Sequence, residues 1–237
     1  MTSNKLNKLN DKYFENKIHE IKLKEILQLR DEENYLNEIC TLFPPITIGS
    51  VTLVDQIVLL CLDELIQPKN ILEIGTFQGF TTRLFIKNSK ASKIYSIDLP
   101  STDNLIIKEP NTERVFTDGN YNDNFLRDVQ NETGEIYLKD LSAEDTLRLQ
   151  LIKHDSTTFN YTENFESIQL AFIDGGHHFD IVKKDTENVL RTMKHGVIVW
   201  HDYASGIHSD VTRYLDERSN TNNIFHVTGS LCAFQII

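Results

Sequence analysis

The chain has no run of apolar residues long enough to cross a membrane, and no apolar segment near its start of the kind that directs secretion. It has only three cysteines, Cys40, Cys61 and Cys232. None stands at metal-type spacing and each lies in an apolar context, so they read as buried structural thiols in a reducing compartment. Basic charge is scarce: 24 Lys and Arg stand against 35 Asp and Glu, a net charge of -11, with no dense Lys/Arg cluster. That excludes a large nucleic-acid footprint. Internal repeats and low-complexity tracts are absent. The expectation is a cytoplasmic protein with no nucleic-acid or membrane partner.

What is present suits a single domain with an extension. The 237 residues are 40% hydrophobic and 25% charged, enough for a sizeable core. The first 40 residues lack glycine and proline, and Leu6, Leu9, Tyr13, Ile18, Ile21, Ile26, Leu27 and Leu29 recur at loosely helical spacing. This predicts a helical arm over residues 1–45, of one or two amphipathic helices broken near Arg30-Asp31. The arm either packs on the main domain, covers the site as a lid, or joins copies of the chain into a homo-oligomer. Pro44-Pro45 separates it from the main domain, 46–237.

In the main domain, helical and strand patterns alternate. A helix capped by Ser50 buries Val54, Ile57, Val58, Cys61 and Leu65. Strands follow at Ile71–Ile74, Lys93–Asp98, Leu147–His154, Ile168–Ile173 and Gly196–Trp200, with helices at Thr82–Lys87, Asp180–Met193 and Ser209–Arg218. Ile224–Val227 and Leu231–Ile237, around Thr228-Gly-Ser230, read as a closing hairpin. The long stretch 99–145 shows weak helical patches near Asn124–Val129 and Ile136–Leu141. The fold class is therefore α/β: a Rossmann-like, seven-stranded, mostly parallel sheet, with helices on both faces and a C-terminal antiparallel hairpin.

Asn70–Thr82 is the centre of the functional reading. A buried strand, a turn with Gly75 and Gly79, and a helix start place backbone where it can approach a ligand closely. The turn also carries Thr76 and Phe77, and Thr81 opens the helix. Glu73, inside the apolar run, needs partners from the turn or from a ligand. The spacing Glu-x-Gly-x-x-x-Gly fits neither the dinucleotide fingerprint nor the phosphate loop.

Ligands of open α/β sheets bind beyond the carboxyl ends of the strands, and here those ends are polar. They carry Glu73 and Gly75, then Asp98, Asp155-Ser156, Asp174-Gly-Gly-His-His178, and His201-Asp202-Tyr203. Asp98, roughly 20 residues past the glycine turn, stands where an acid accepts two ribose hydroxyls. Asp155 and Ser156 stand where an adenine edge lies. Asp174 and Asp202, with His201 or His177, suit a divalent cation: Mg²⁺ if the ligands are oxygens, Mn²⁺, Fe²⁺ or Zn²⁺ if an imidazole takes part. His177 or His178 serves equally as a general base. The other histidines, His19, His154, His195, His208 and His226, have no assigned role, and most read as surface or capping residues.

Taken in order, Ile71-Leu-Glu-Ile-Gly-Thr-x-x-Gly79, Ile97-Asp98, Asp155-Ser156, Phe172-Ile-Asp-Gly-Gly-His177, Gly196-Val-Ile-Val-Trp-His-Asp202 and Val227-Thr-Gly-Ser-Leu231 resemble the class I S-adenosylmethionine-dependent methyltransferases. Within them the pattern resembles the small-molecule O-methyltransferases of the "FIDGDH" group, which includes macrolide-sugar O-methyltransferases and cephalosporin-hydroxylase-like proteins. The resemblance covers about residues 46–237. It implies S-adenosylmethionine held by Glu73, Gly75, Thr76, Phe77, Gly79, Thr81, Asp98, Asp155, Ser156 and Asp174, and methyl transfer to a hydroxyl of a sugar or secondary metabolite. It also implies His177 and Asp174 as catalytic residues, and Mg²⁺ or another divalent metal at Asp174, His201 and Asp202. Two departures stand out: Gly176 replaces the second acid of the group's motif, and His201 replaces the first acid of the pair after the fifth strand. A catalytically degenerate binding protein of the same fold and a Rossmann-type oxidoreductase are the alternative readings.

Overall fold

The computed structural model describes residues 5–30, 38–45 and 48–237. The arm is not wholly helical. It runs α1 (Asn7–Lys12), strand β1 (Ile18–Ile21) and α2 (Leu23–Leu27). Ile18 and Ile21 are three apart, a spacing that fits a helix face, but β1 instead pairs in parallel with a C-terminal strand. The break near Arg30-Asp31 reaches residue 31, outside the described residues.

The main domain continues with α3 (Leu53–Ile66), β2 (Asn70–Ile74), α4 (Phe80–Asn88), β3 (Lys93–Asp98), α5 (Thr112–Val115), α6 (Gly119–Thr133), α7 (Ala143–Arg148) and β4 (Leu149–Lys153). Then come α8 (Tyr161–Asn164), β5 (Leu170–Ile173), α9 (Phe179–Thr192), β6 (Val197–Trp200), α10 (Ser209–Ser219), β7 (Ile224–Val227) and β8 (Ala233–Ile236). The strands form one sheet in the order β1-β7-β8-β6-β5-β2-β3-β4. Every pairing is parallel except those of β8 with β6 and β7. The sheet thus has eight strands rather than seven, because the arm supplies one.

Strands β2, β5 and β6 are buried along their whole length, as strands covered on both faces must be. Leu170, Phe172, Val197 and Val199 face a core shared with α3, α4 and the arm. Ala171, Ile173, Ile198 and Trp200 face a second core under α9 and α10. Leu6, Ile21 and Ile26 of the arm are fully buried in the first core. Each such side chain contributes about 1.5–3 kcal/mol of burial free energy, so the arm is held as part of the domain.

Helix α3 starts later than Ser50. Its N-cap is Thr52, whose hydroxyl accepts the Asp55 N–H while the Asp55 carboxylate accepts the Thr52 N–H. This reciprocal box needs an acid three residues after the cap, which Thr52 has and Ser50 lacks. Cys40 is exposed, whereas Cys61 and Cys232 are buried. Among the described residues no helix is long and apolar enough to cross a membrane.

The sheet register positions the site. Ile97, Ile74, Ile173 and Trp200 lie side by side across β3, β2, β5 and β6. The next residue on each strand is therefore Asp98, Gly75, Asp174 and His201, in one row along the carboxyl edge.

Candidate active site

That row opens into a cavity of about 680 Å³, within the usual range for small-molecule sites. Its first wall is the turn after β2. Gly75 has φ +98°, and a Cβ there would sit 1.9 Å from the Asp174 carbonyl oxygen. Only glycine permits strand ends this close. Phe77, also at positive φ, donates its N–H to Asp98 Oδ2 at 2.7 Å, which ties the turn to the end of β3.

The Asp98 carboxylate is well occupied. Oδ1 accepts the Leu99 N–H at 2.7 Å, and Oδ2 also accepts the Gln130 side-chain amide at 2.5 Å. The Arg127 guanidinium stands 4.0 Å away. Of the roughly four lone-pair positions on a carboxylate, three are in use.

Gly75, Thr76, Phe77, Thr81, Asp98, Asp155 and Ser156 all line the cavity. Glu73 and Gly79 are not among its lining residues. Glu73 is completely buried beneath the turn, where Oε2 accepts hydroxyl hydrogens from Thr82 and from Ser96 at 2.5 Å. Burial pushes its carboxyl up to about 8, against the pull of those hydroxyls. Gly79 instead caps α4 at φ +84°, with the Leu138 side chain 2.5 Å from where a Cβ would be. Asp155 folds onto its own turn, accepting from the Thr157 N–H at 2.8 Å and hydroxyl at 2.7 Å.

The opposite wall gathers Asp174, His177, His201 and Asp202, all lining the cavity. Nδ1 of His201 lies 3.3 Å from Asp174 Oδ1 and 3.1 Å from Asp202 Oδ2. Nε2 of His177 lies 3.1 Å from Asp202 Oδ2 and 3.9 Å from Asp174 Oδ1. Asp202 has φ +60°, a conformation that aspartate tolerates better than most residues. Burial lowers the pKa of both imidazoles, but the facing carboxylates outweigh it and hold both well above the ordinary histidine value. Burial likewise raises Asp202, yet His201 and His177 hold it well below the carboxylate range.

Three further residues complete this wall. Asp123 on α6 lies 2.7 Å from Nδ1 of His177. His208 stacks on the His177 ring with centroids 3.8 Å apart. Burial and the neighbouring His177 lower the pKa of His208. The fully buried Asp55 of α3 lies 3.4 Å from Nε2 of His201 and accepts the Leu231 N–H at 2.9 Å. It is held down at about 2: burial raises it, and His201, Thr52 and Leu231 more than compensate. Gln130, also on α6, belongs instead to the first wall, where it donates to Asp98. That helix spans residues 119–133, well beyond the expected patch at 124–129, because its inward face is polar and breaks the apolar period. His208 is thus a buried member of the site, and nothing in its sequence surroundings marks it.

Residues 72–203 match the protein family described as "Methyltransferase domain". The chain belongs to this methyltransferase family. No curated protein matches the methyltransferase. Solved structures show the same fold at low identity. An O-methyltransferase from Bacillus cereus, in complex with SAH, is 14% identical at TM-score 0.51, over 90% of this chain and 88% of that one. The cofactor-bound protein Rv0187 from MTB is 15% identical at TM-score 0.53, over 81% and 83%. CalS11, a calicheamicin methyltransferase, is 15% identical at TM-score 0.51, over 77% and 78%. The family match begins in β2 and ends just after β6, so in the methyltransferase it spans every cavity-lining strand end described above.

Proposed function

We propose that the protein transfers a methyl group from S-adenosylmethionine to a hydroxyl of a small molecule. The observation that carries this reading is the meeting of two walls in one cavity: a glycine turn joined to Asp98, and a cluster of carboxylates and imidazoles opposite. The first wall suits the donor. Asp98 has a free lone-pair position for one ribose hydroxyl, and withdrawal of the Gln130 amide frees a second. Thr76, Phe77 and the glycine backbone line the place for the methionine end, and Asp155-Ser156 the place for the base.

The second wall suits the acceptor. Ile106, Phe116, Leu126 and Ile207 add apolar surface to the same cavity, appropriate to the body of a hydroxylated metabolite. An acceptor hydroxyl held beside Asp174 and Asp202 faces the turn across the cavity. Its oxygen lone pair forms the new O–CH₃ bond as the S–CH₃ bond breaks, the bonding pair stays on sulfur, and the hydroxyl proton passes to the cluster. Positioning supplies much of such a rate enhancement. Asp174, His201 and Asp202 also suit a divalent cation, which when bound lowers the pKa of an adjacent hydroxyl.

Calorimetry with S-adenosylmethionine and S-adenosylhomocysteine tests the donor. Binding lost in Asp98→Ala supports it, and affinity unchanged in that variant overturns the cofactor assignment. Release of S-adenosylhomocysteine against a panel of hydroxylated metabolites then identifies the acceptor.

A further inference from the structure

The turn after β4 lines the cavity, yet most of its hydrogen-bonding groups are already in use. The Asp155 carbonyl accepts the Thr158 and Phe159 N–H groups. The Ser156 and Thr157 carbonyls accept the side-chain amide of Asn188 at 3.1 and 3.4 Å. Asp155 Oδ1 is taken by Thr157. Among the described residues, the Ser156 N–H and Asp155 Oδ2 are left without a partner. One N–H and one carboxylate oxygen on adjacent residues complement adenine, whose edge offers N1 as acceptor and the N6 amino group as donor.

The support of this turn lies behind it, on α9. Asp185 and Asn188 are three residues apart and share a face of that helix. Both are buried, Asp185 completely. The helix is tied to the sheet, because Trp200 Nε1 on β6 donates to the Thr186 hydroxyl at 2.9 Å. Asn188 grips the turn by its two carbonyls. Burial pushes the Asp185 carboxyl up to about 7, and Asp155 adds to this, against the pull of the nearby Ser156 hydroxyl. Yet no hydrogen bond closes between Asp185 and Ser156, and both oxygens of Asp185 are without a partner. A buried carboxyl in that state costs stability. The Ser156 hydroxyl is placed to relieve it.

We propose that Asp185 is a positioning residue for the nucleobase: it takes the Ser156 hydroxyl when S-adenosylmethionine enters and, with Asn188, fixes the turn from behind. The Ser156 N–H and Asp155 Oδ2 then meet the base as one donor and one acceptor. Asp185 is not among the cavity-lining residues and acts only through Ser156. This inference rests on the donor-wall reading given above and extends it to a residue outside the cavity.

The test measures binding of S-adenosylhomocysteine and S-inosylhomocysteine to the full chain by calorimetry. The inosine compound differs in its base alone: N1 carries a proton and a carbonyl replaces the N6 amino group, so both contacts are reversed. The unaltered chain should prefer S-adenosylhomocysteine about 10- to 100-fold. In Asp185→Ala the preference should shrink to about threefold or less, through weaker binding of S-adenosylhomocysteine alone. Asp185→Asn keeps an oxygen that accepts the hydroxyl and should retain the preference. Ser156→Ala should shrink it as Asp185→Ala does, and the double variant should lose nothing more. Unchanged preference in either single alanine variant overturns the proposal. An equal loss for both compounds does so too, since it marks a general disturbance of the fold. Binding of both compounds to the unaltered chain without preference overturns this inference and leaves the donor reading standing. No binding of S-adenosylhomocysteine to the unaltered chain overturns the donor reading itself.

Discussion

Asp123 and His177 stand 2.7 Å apart although 54 residues separate them in the chain. One comes from the middle of the long connection after β3, the other from the loop after β5. The contact locks the imidazole with Nε2 toward Asp174 and Asp202. Asp123→Asn keeps the shape and removes the charge, so the rate of methyl transfer should fall about 10- to 100-fold, while the dissociation constant for S-adenosylhomocysteine stays within about twofold. Steady-state kinetics beside calorimetry measures the split. Equal losses in both would mean that the variant has disturbed the whole cavity.

Gln130 occupies the carboxylate that a ribose would use. Removing the amide in Gln130→Ala should therefore tighten S-adenosylmethionine, since one competing hydrogen bond is lost. A net gain of about 1 kcal/mol, or roughly fivefold in affinity, is the expected size. Titration calorimetry decides it, and clear weakening would show that Gln130 contacts the ligand itself.

Glu73 links the site to pH-dependent stability. Its folded pKa of about 8 lies above the ordinary value of 4.5. Between these limits the folded chain keeps a proton that the unfolded chain has released, so stability falls as pH rises through this window. Glu73→Gln removes the titration. The variant should gain stability relative to the parent from pH 5 to pH 8, on the order of a few kcal/mol. Urea melts at both pH values give the comparison, and parallel behaviour of the two proteins would refute it.

Gly75→Ala should be severe. The backbone lies at φ +98°, and the new Cβ would meet the Asp174 carbonyl oxygen at 1.9 Å. Backbone on both sides leaves no flexible group to yield, so a loss of about 3 kcal/mol or more is expected. Gly206→Ala, where nothing lies within 4 Å of the added atom, is the control. Denaturant unfolding of the pair measures the difference, and similar midpoints would contradict the clash.

The α/β class, the positions of most strands along the chain and the residues on the carboxyl edge follow from local pattern. Apolar runs such as Leu170–Ile173 and Val197–Trp200 have no alternative to burial, and the acids and histidines that end them must lie at one edge. Asp98, Asp174, His177, His201 and Asp202 were legible for that reason. Tertiary structure decided what local pattern leaves open. Ile18–Ile21 fits a helix face until the open edge of β7 offers it hydrogen bonds. Helix α6 is hard to see because Asn122, Asp123, Arg127 and Gln130, which break its apolar period, face the cavity. Glu73 looks like a ligand contact but lies beneath the turn, bonded to Ser96 and Thr82. Asp55 closes the capping box of α3 and also faces His201, 146 residues away, a partner that no local pattern marks. Sequence spacing records which neighbours a residue has along the chain, whereas these roles depend on partners supplied across the sheet by distant segments.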